Sequence, residues 1–298
     1  MVNTHNDVDY HRTDELKRFD ASKTGVKGLF DSGVTAIPPI FVHPPETLCT
    51  LKPDPTARGL SVPIVDVSAP RAEVVRQLSR AARDHGVFQV VNHGIPEAAM
   101  ARAMAAVKAF HEQPGEARAE FYGGVAGGGG VAYRSNFDLF QSKAANWHDT
   151  VRISTAPKRA ATELIPEVLR GAAEEWDGEV SRFGEALLGM LGEGLGLDEG
   201  RLREMTCGER RMMVGHYYPP CPQPDRTVGL ASHADPGLLT VLLQNQVGGL
   251  QIKSSSGVWI DVKPVPGALV INVGVLFQVV LLINFVMFKQ ITTIHKNG

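Results

Sequence analysis

The sharpest chemical signal in this 298-residue sequence is Ser232-His-Ala-Asp-Pro-Gly237, which opens the apolar run Leu238-Leu-Thr-Val-Leu-Leu-Gln244. On a strand, residues two apart point to one face, so His233 and Asp235 can aim an imidazole and a carboxylate at a single point. That is half of a metal site. Two histidines and one carboxylate on one face of an octahedron hold Fe(II) and leave three positions open. Taken alone, an H-x-D is equally well a solvated pair or a pair satisfied inside a core, so the surrounding elements decide its meaning.

Those elements change character along the chain. After Arg210, short apolar runs at 212–218, 238–244, 250–252, 258–262 and 268–273 are separated by Pro, Gly, Ser and Asn. This is the pattern of antiparallel strands in a sandwich or barrel. Before them the chain reads as mainly helical. Val74, Val75, Leu78, Ala81 and Ala82 share one face of a helix that starts at Pro70 and stops at Gly86. A buried strand over Val87–Val91, an alanine-rich helix over 96–111 and a glycine-broken helix over about 163–195 follow. Residues 123–130 are glycine-rich but lack the GK[ST] ending of a phosphate cradle, so they read as a loop. Six prolines between Pro38 and Pro55 suggest that residues 1–60 form an extended arm.

Bulk properties exclude several classes. With 43% hydrophobic and 21% charged residues the chain can bury a sizeable core. A formal net charge of -2 argues against a nucleic-acid partner. Cys49, Cys207 and Cys221 form neither a CxxC pair nor a disulfide framework, and residues 1–12 carry no secretory signal. A reduced, cytoplasmic setting is expected. Residues 268–288 contain no charge, which raises a membrane-anchor reading, although Asn272, Gly274, Gln278 and Asn284 interrupt it.

The ordered set Tyr217-Tyr-Pro-Pro-Cys-Pro-Gln-Pro224, His233-Ala-Asp-Pro-Gly-Leu-Leu-Thr240, Val247-Gly-Gly-Leu-Gln-Ile252, Trp259-Ile-Asp-Val-Lys-Pro264 and Val270-Ile-Asn-Val-Gly274 resembles the plant iron(II)/2-oxoglutarate-dependent dioxygenases. Asp84-His-Gly-Val-Phe-Gln-Val-Val-Asn-His-Gly-Ile-Pro96 resembles their N-terminal region. The stretches from Phe19 to Gly33 and from Tyr133 to Phe140 look like the subgroup of 1-aminocyclopropane-1-carboxylate oxidase homologues. The resemblance covers roughly residues 10 to 278. It implies an α+β fold, a double-stranded β-helix (jelly roll) behind a helical N-terminal region. The expected division is an arm over 1–60, a helical region over 61–205, a jelly-roll core over 206–278 that is incomplete at its C-terminal end, and a tail over 279–298.

The resemblance also implies roles. His233 and Asp235 match two iron ligands, and Tyr218 matches a position that hydrogen-bonds the 2-oxoglutarate carboxylate. The cofactors would be Fe(II) and 2-oxoglutarate, with ascorbate as reductant, and the partners dioxygen and a small organic substrate. Oxidative decarboxylation of 2-oxoglutarate would drive hydroxylation or desaturation. His216 stands where the family commonly has asparagine, and His85 and His93 read as structural. The protein is expected to be a monomer that uses no membrane.

After Gly274 the pattern departs. The family aspartate is replaced by Val275, and the second iron-binding histidine, expected near Gln290, is missing. His295 is the only histidine after Asp235, and no arginine follows Arg226, so the R-x-S clamp on 2-oxoglutarate has no counterpart. Lys289 and Lys296 cannot supply its planar fork. The expectations are weak iron retention, missing closing strands and an impaired enzyme, with a non-catalytic pseudoenzyme as the alternative. A tail that begins with valine codons fits a retained splice donor; genomic sequence without a donor after the Gln278 codon would contradict that origin.

Overall fold

The computed structural model describes residues 5–51, 60–123, 129–198, 200–205, 207–254, 256–281 and 291–294. The elements in chain order are α1 (His5–Ser22), α2 (Gly25–Asp31), α3 (Pro45–Thr50), β1 (Ile64–Asp66), α4 (Arg71–Asp84), β2 (Val87–Val91), α5 (Glu97–His111) and α6 (Gly115–Ala119). They continue as β3 (Val131–Arg134), β4 (Asp149–Ala156), α7 (Arg170–Gly194), α8 (Arg201–Glu204), β5 (Arg211–Tyr217), β6 (Leu230–His233) and β7 (Leu239–Leu242). The last are β8 (Leu250–Lys253), β9 (Trp259–Asp261), β10 (Leu269–Val273), α9 (Val275–Leu281) and β11 (Ile291–Thr293).

Two four-stranded sheets face each other, ordered β1-β2-β10-β7 and β6-β11-β8-β9, and β3-β4-β5 form a third. The strand pairs are antiparallel except β1 with β2. This is the expected jelly roll in an α+β chain. Strand β10 lies at its centre, and all five of its residues are buried. Leu269, Ile271 and Val273 face a core shared with Leu78 of α4 and Phe183 and Leu187 of α7. Val270, on the opposite face, packs between the sheets with Val87, Ile252, Ile260 and Ile291. Period-2 alternation therefore feeds two cores from one strand.

Several expectations are corrected. The 1–60 arm is not extended over its first half, because α1 and α2 precede the prolines that suggested extension. Leu16 and Phe19 of α1 are buried with Val26, Phe41 and Trp147. Phe41 meets Phe19 and Trp147 edge-on at 5.2 Å each. The 61–205 region is not only helical, since it carries β3 and β4. Strand β4 alternates buried and half-buried residues along its whole length. The third helix starts at Arg170, because Pro166 breaks the stretch before it into short 3-10 turns. Residues 124–128 of the glycine-rich loop lie outside the described residues.

The tail also differs from expectation. Strand β11 inserts between β6 and β8, pairing Ile291 with His233 on one side and with Ile252 on the other. The sheet expected to stay open is therefore bridged there. The uncharged stretch 268–288 begins as β10 and turns into α9, with residues 282–290 outside the described set. Among the described residues no helix is long and apolar enough to cross a membrane.

The arm is held by a buried carboxylate. Asp149 on β4, fully buried, accepts hydrogen bonds from the backbone N–H groups of Val26 and Lys27, both at 2.8 Å, and from Tyr133 Oη at 3.1 Å. Gly25 has φ +68, and a Cβ there would overlap Tyr133 Oη and the Asp149 carboxylate. Burial raises the Asp149 pKa against the backbone hydrogen bonds that lower it. Asp149→Ala strands two buried N–H groups, and we expect a loss of about 2–5 kcal/mol, read as a lowered urea midpoint.

Buried His111 donates from Nε2 to Gly215 O at 3.2 Å and stacks on Tyr217. Burial pushes its pKa down from 6.5 to about 3. Between those values the unfolded chain binds the extra proton, so this contribution is intact above pH 6.5 and is lost as pH falls toward 3. The stability of a His111→Gln variant should therefore fall less steeply over that window, by up to about 1.4 kcal/mol per pH unit, in urea titrations across pH.

Candidate metal centre

The loop after β6 brings the two sequence-identified donors together. His233 Nε2 lies 3.4 Å from Asp235 Oδ1. Adjacent donors on an octahedral ion with bonds of roughly 2.1 Å stand ~3 Å apart, so the spacing suits a shared cation. His233 Nδ1 donates to Ala231 O at 3.0 Å. That bond makes Nδ1 a donor, so Nε2 is the nitrogen that faces Asp235, sharing a proton with it or giving its lone pair to a cation held between them. Asn272 Nδ2, from the central strand β10, donates to Asp235 Oδ2 at 3.1 Å. Burial alone would raise the Asp235 carboxyl, but hydrogen bonds from His233, Thr240 and Asn272 outweigh it and hold the pKa at about 2. Burial would likewise lower the His233 pKa, yet Asp235, the Ala231 carbonyl and Asp138 together raise it.

Backbone contacts lock the loop. Val275 N donates to Asp235 O at 2.8 Å and Gly274 N to Leu238 O at 2.8 Å. Gly274 permits this approach, since a Cβ there would run into the Gly237 carbonyl and stand 3.0 Å from Asp235 O. Val275, where the resemblance expected an aspartate, thus still serves the site through its main chain.

His216 and Tyr218 stand two residues apart at the end of β5. Thr150 Oγ1 lies 2.8 Å from His216 Nδ1. His216 is exposed, with its surface on the cavity, and the protein packed around the ring, followed by the charge on His233, lowers its pKa to about 4. Tyr218 bonds Thr293, and burial pushes its hydroxyl up to about 12. His148 fills the space behind them, its ring centre 5.4 Å from that of His216 and 5.6 Å from that of Tyr218, with Nδ1 donating to Gly229 O at 2.6 Å. His93 lies away from the pair, bridging Gly267 O and Ile95 N, in keeping with a structural reading.

The cavity that His216 and Tyr218 line has a volume of about 580 Å³. A larger one, about 710 Å³, sits beside α7 and α8. Its Arg71, Arg203 and Arg211 are paired with Glu193, Glu185 and Asp177, and it adjoins neither His233 nor Asp235. Neither lining includes His233 or Asp235, but the smaller cavity takes in His216, which stands close enough to His233 to feel its charge.

Among the described residues no group of three His, Cys, Asp or Glu side chains could hold a metal ion. The pair and its orienting contacts fit two positions of an iron site, and among the described residues no third donor joins them. Ile291 on β11 stands directly opposite His233 and is buried, while Thr293, two residues on, lines the cavity. Gln290 and His295 lie outside the described residues. Asn272, Thr150, Thr240 and His148 were not singled out from sequence as site residues. Asn272 carried a readable sign, a lone amide within an apolar five-residue strand.

The fold is a jelly roll that carries a convergent H-x-D pair, and comparisons with known proteins give its family. The profile of the 2OG-Fe(II) oxygenase superfamily matches residues 209–287, and that of the non-haem dioxygenase in morphine synthesis N-terminal region matches residues 62–170. The chain is 44% identical over 285 residues to 1-aminocyclopropane-1-carboxylate oxidase homolog 1 of Arabidopsis thaliana, covering 94% of this chain and 77% of that one. It is 38% identical over 290 residues to deacetoxyvindoline 4-hydroxylase of Catharanthus roseus, covering 95% and 72%. The crystal structure of JOX2 in complex with 2OG, Fe and JA is similar with a TM-score of 0.80 at 26% identity, covering 92% of this chain and 80% of that one. The chain belongs to the 2OG-Fe(II) oxygenase superfamily, whose cofactors are Fe(II) and 2-oxoglutarate.

Anaerobic Fe(II) titration followed by calorimetry checks the geometry. Asp235→Ala should weaken binding at least tenfold, and Ile291→His, which adds an imidazole opposite His233, should tighten it roughly tenfold or more.

Proposed function

We propose that the chain is an Fe(II)- and 2-oxoglutarate-dependent oxygenase that hydroxylates or desaturates a small organic molecule of plant secondary metabolism, with weakened hold on its iron. The observation that carries this reading is the convergence of His233 Nε2 and Asp235 Oδ1 at 3.4 Å, each oriented by a further hydrogen bond. Bound iron would supply the activation of dioxygen, with 2-oxoglutarate as the source of electrons. The protein's own part is to orient and to exclude water. Tyr218, held by Thr293, is assigned to the 2-oxoglutarate carboxylate. A relative named as a 4-hydroxylase supports substrate hydroxylation as the reaction class.

The impaired hold rests on Ile291 and Thr293, the β11 residues that face the interior beside His233. The same observation favours a second reading, a pseudoenzyme that keeps the cavity and has lost the chemistry. A succinate assay separates them. With excess Fe(II), 2-oxoglutarate and ascorbate, the oxygenase reading expects succinate that rises with iron without early saturation and disappears in His233→Ala. Succinate no higher than in His233→Ala at every iron concentration would establish the pseudoenzyme.

A further inference from the structure

Two sheets end on strands that have one neighbour each: β5 closes the sheet β3-β4-β5, and β7 closes β1-β2-β10-β7. Main-chain hydrogen bonds fix which groups of these strands point outward. In an antiparallel pair, opposite residues alternate between exchanging both bonds and exchanging none. Tyr133 on β3 gives its N–H to Phe121 O and accepts from Gly123 N, so Val151, opposite it on β4, exchanges bonds with Gly215 of β5 instead. The residues flanking Gly215, Val214 and His216, therefore direct N–H and C=O away from β4. The same alternation holds in the other sheet. Gln89 N–H goes to Pro63 O on the β1 side, so Val270, opposite it on β10, exchanges bonds with Leu242 of β7. Val241, next to Leu242, then points away from β10. Among the described residues no main-chain partner meets Val214, His216 or Val241 on these outer sides. The cavity of about 580 Å³ lies between the two edges. Consecutive residues line it, 213–216 of β5 and 241–245 in and after β7. A sheet face presents every second residue, whereas an edge presents each in turn, so edges bound this cavity. None of the described lining residues is Lys, Arg, Asp or Glu.

We propose that this slot is a strand-addition site, in which an extended, uncharged peptide segment of another protein lies between β5 and β7 and bonds both edges. The exposed backbone names the occupant. An unpaired edge is a template for a further strand, and only an extended main chain offers N–H and C=O groups alternately to both sides. A small molecule of the same volume would leave most of the outward groups of Val214, His216 and Val241 unmatched. The size fits. A strand residue takes up roughly 160 Å³, from a ~3.4 Å rise, a ~4.8 Å strand spacing and a ~10 Å sheet spacing. About 580 Å³ thus holds roughly three to four of them. Met104 and Val107 of α5 and Trp176 of α7 give the incoming strand apolar contact. A charged side chain there would lose its hydration with no counter-ion to replace it. The inference uses neither His233 nor Asp235 and stands apart from the oxygenase reading.

The test uses the full-length chain without iron or 2-oxoglutarate, so its outcome is separate from that of the succinate assay. The probe is a short peptide of alternating valine and threonine, with a lysine at each end for solubility. Calorimetry should show it binding, and amide hydrogen exchange should slow in both β5 and β7 when it is added. Two further peptides are N-methylated, one at the odd residues and one at the even. Each loses its donors to one edge and should bind at least tenfold more weakly. Val214→Pro and Val241→Pro each delete one outward N–H and spare the ladder to the neighbouring strand. Each should weaken the unmethylated peptide about 3- to 10-fold. Circular dichroism checks that the variants fold, and the methylated peptides need no variant. No binding of the unmethylated peptide, slowed exchange in one strand alone, or equal affinity for all three peptides would each overturn the inference. Self-association of the chain that Val214→Pro abolishes would also overturn it, because the occupant would then be a second copy.

Discussion

The structure depends on β10 being hydrogen-bonded on both sides. It pairs antiparallel with β2 from the N-terminal half and with β7 from the site half, so one buried strand joins the two parts of the chain into a single sheet. Its faces serve different cores, and its one polar side chain, Asn272, is spent on Asp235. A buried amide is tolerated there because the carboxylate takes its donor. Just beyond the strand, Gly274 and Val275 tie down the backbone of the H-x-D loop. Packing and donor geometry are therefore set by the same seven residues.

A second dependence runs through the arm. Asp149 pins α2, and the cluster of Phe19, Phe41 and Trp147 rests on that anchor. Trp147 Nε1 donates to Pro219 O, in the stretch directly after Tyr218. The neighbouring His148 fills the space behind His216 and Tyr218. An arm that reads as peripheral in sequence thus supports the wall of the cavity, and damage to the Asp149 anchor would be felt at Tyr218.

Much of this was legible because local patterns agreed with the fold. The five β-rich runs after Arg210 became β5, β7, β8, β9 and β10 within a residue or two, whereas β6 was not read as a run. His233 and Asp235 converge although the strand ends at His233 and Asp235 lies in the loop beyond it. What escaped had a specific physical cause. The helix of residues 5–22 owes its burial to Leu16 and Phe19 meeting distant aromatics, which composition cannot display. Alternation in β4 was present but was overshadowed by the helical reading of the flanking segments. Strand β11 is three residues long, and only its two partners, β6 and β8, make it a strand. Thr150 and His148 matter through cross-strand register, which no single segment encodes.

His233 and Asp235 are proposed together as the cation-binding point of this chain. Anomalous diffraction at the iron edge, from crystals soaked anaerobically in Fe(II), tests it most directly. One dominant peak is expected within bonding distance of both His233 Nε2 and Asp235 Oδ1. A dominant peak at His148 or His216, or no peak at the pair when iron is plainly present in the crystal, would contradict it.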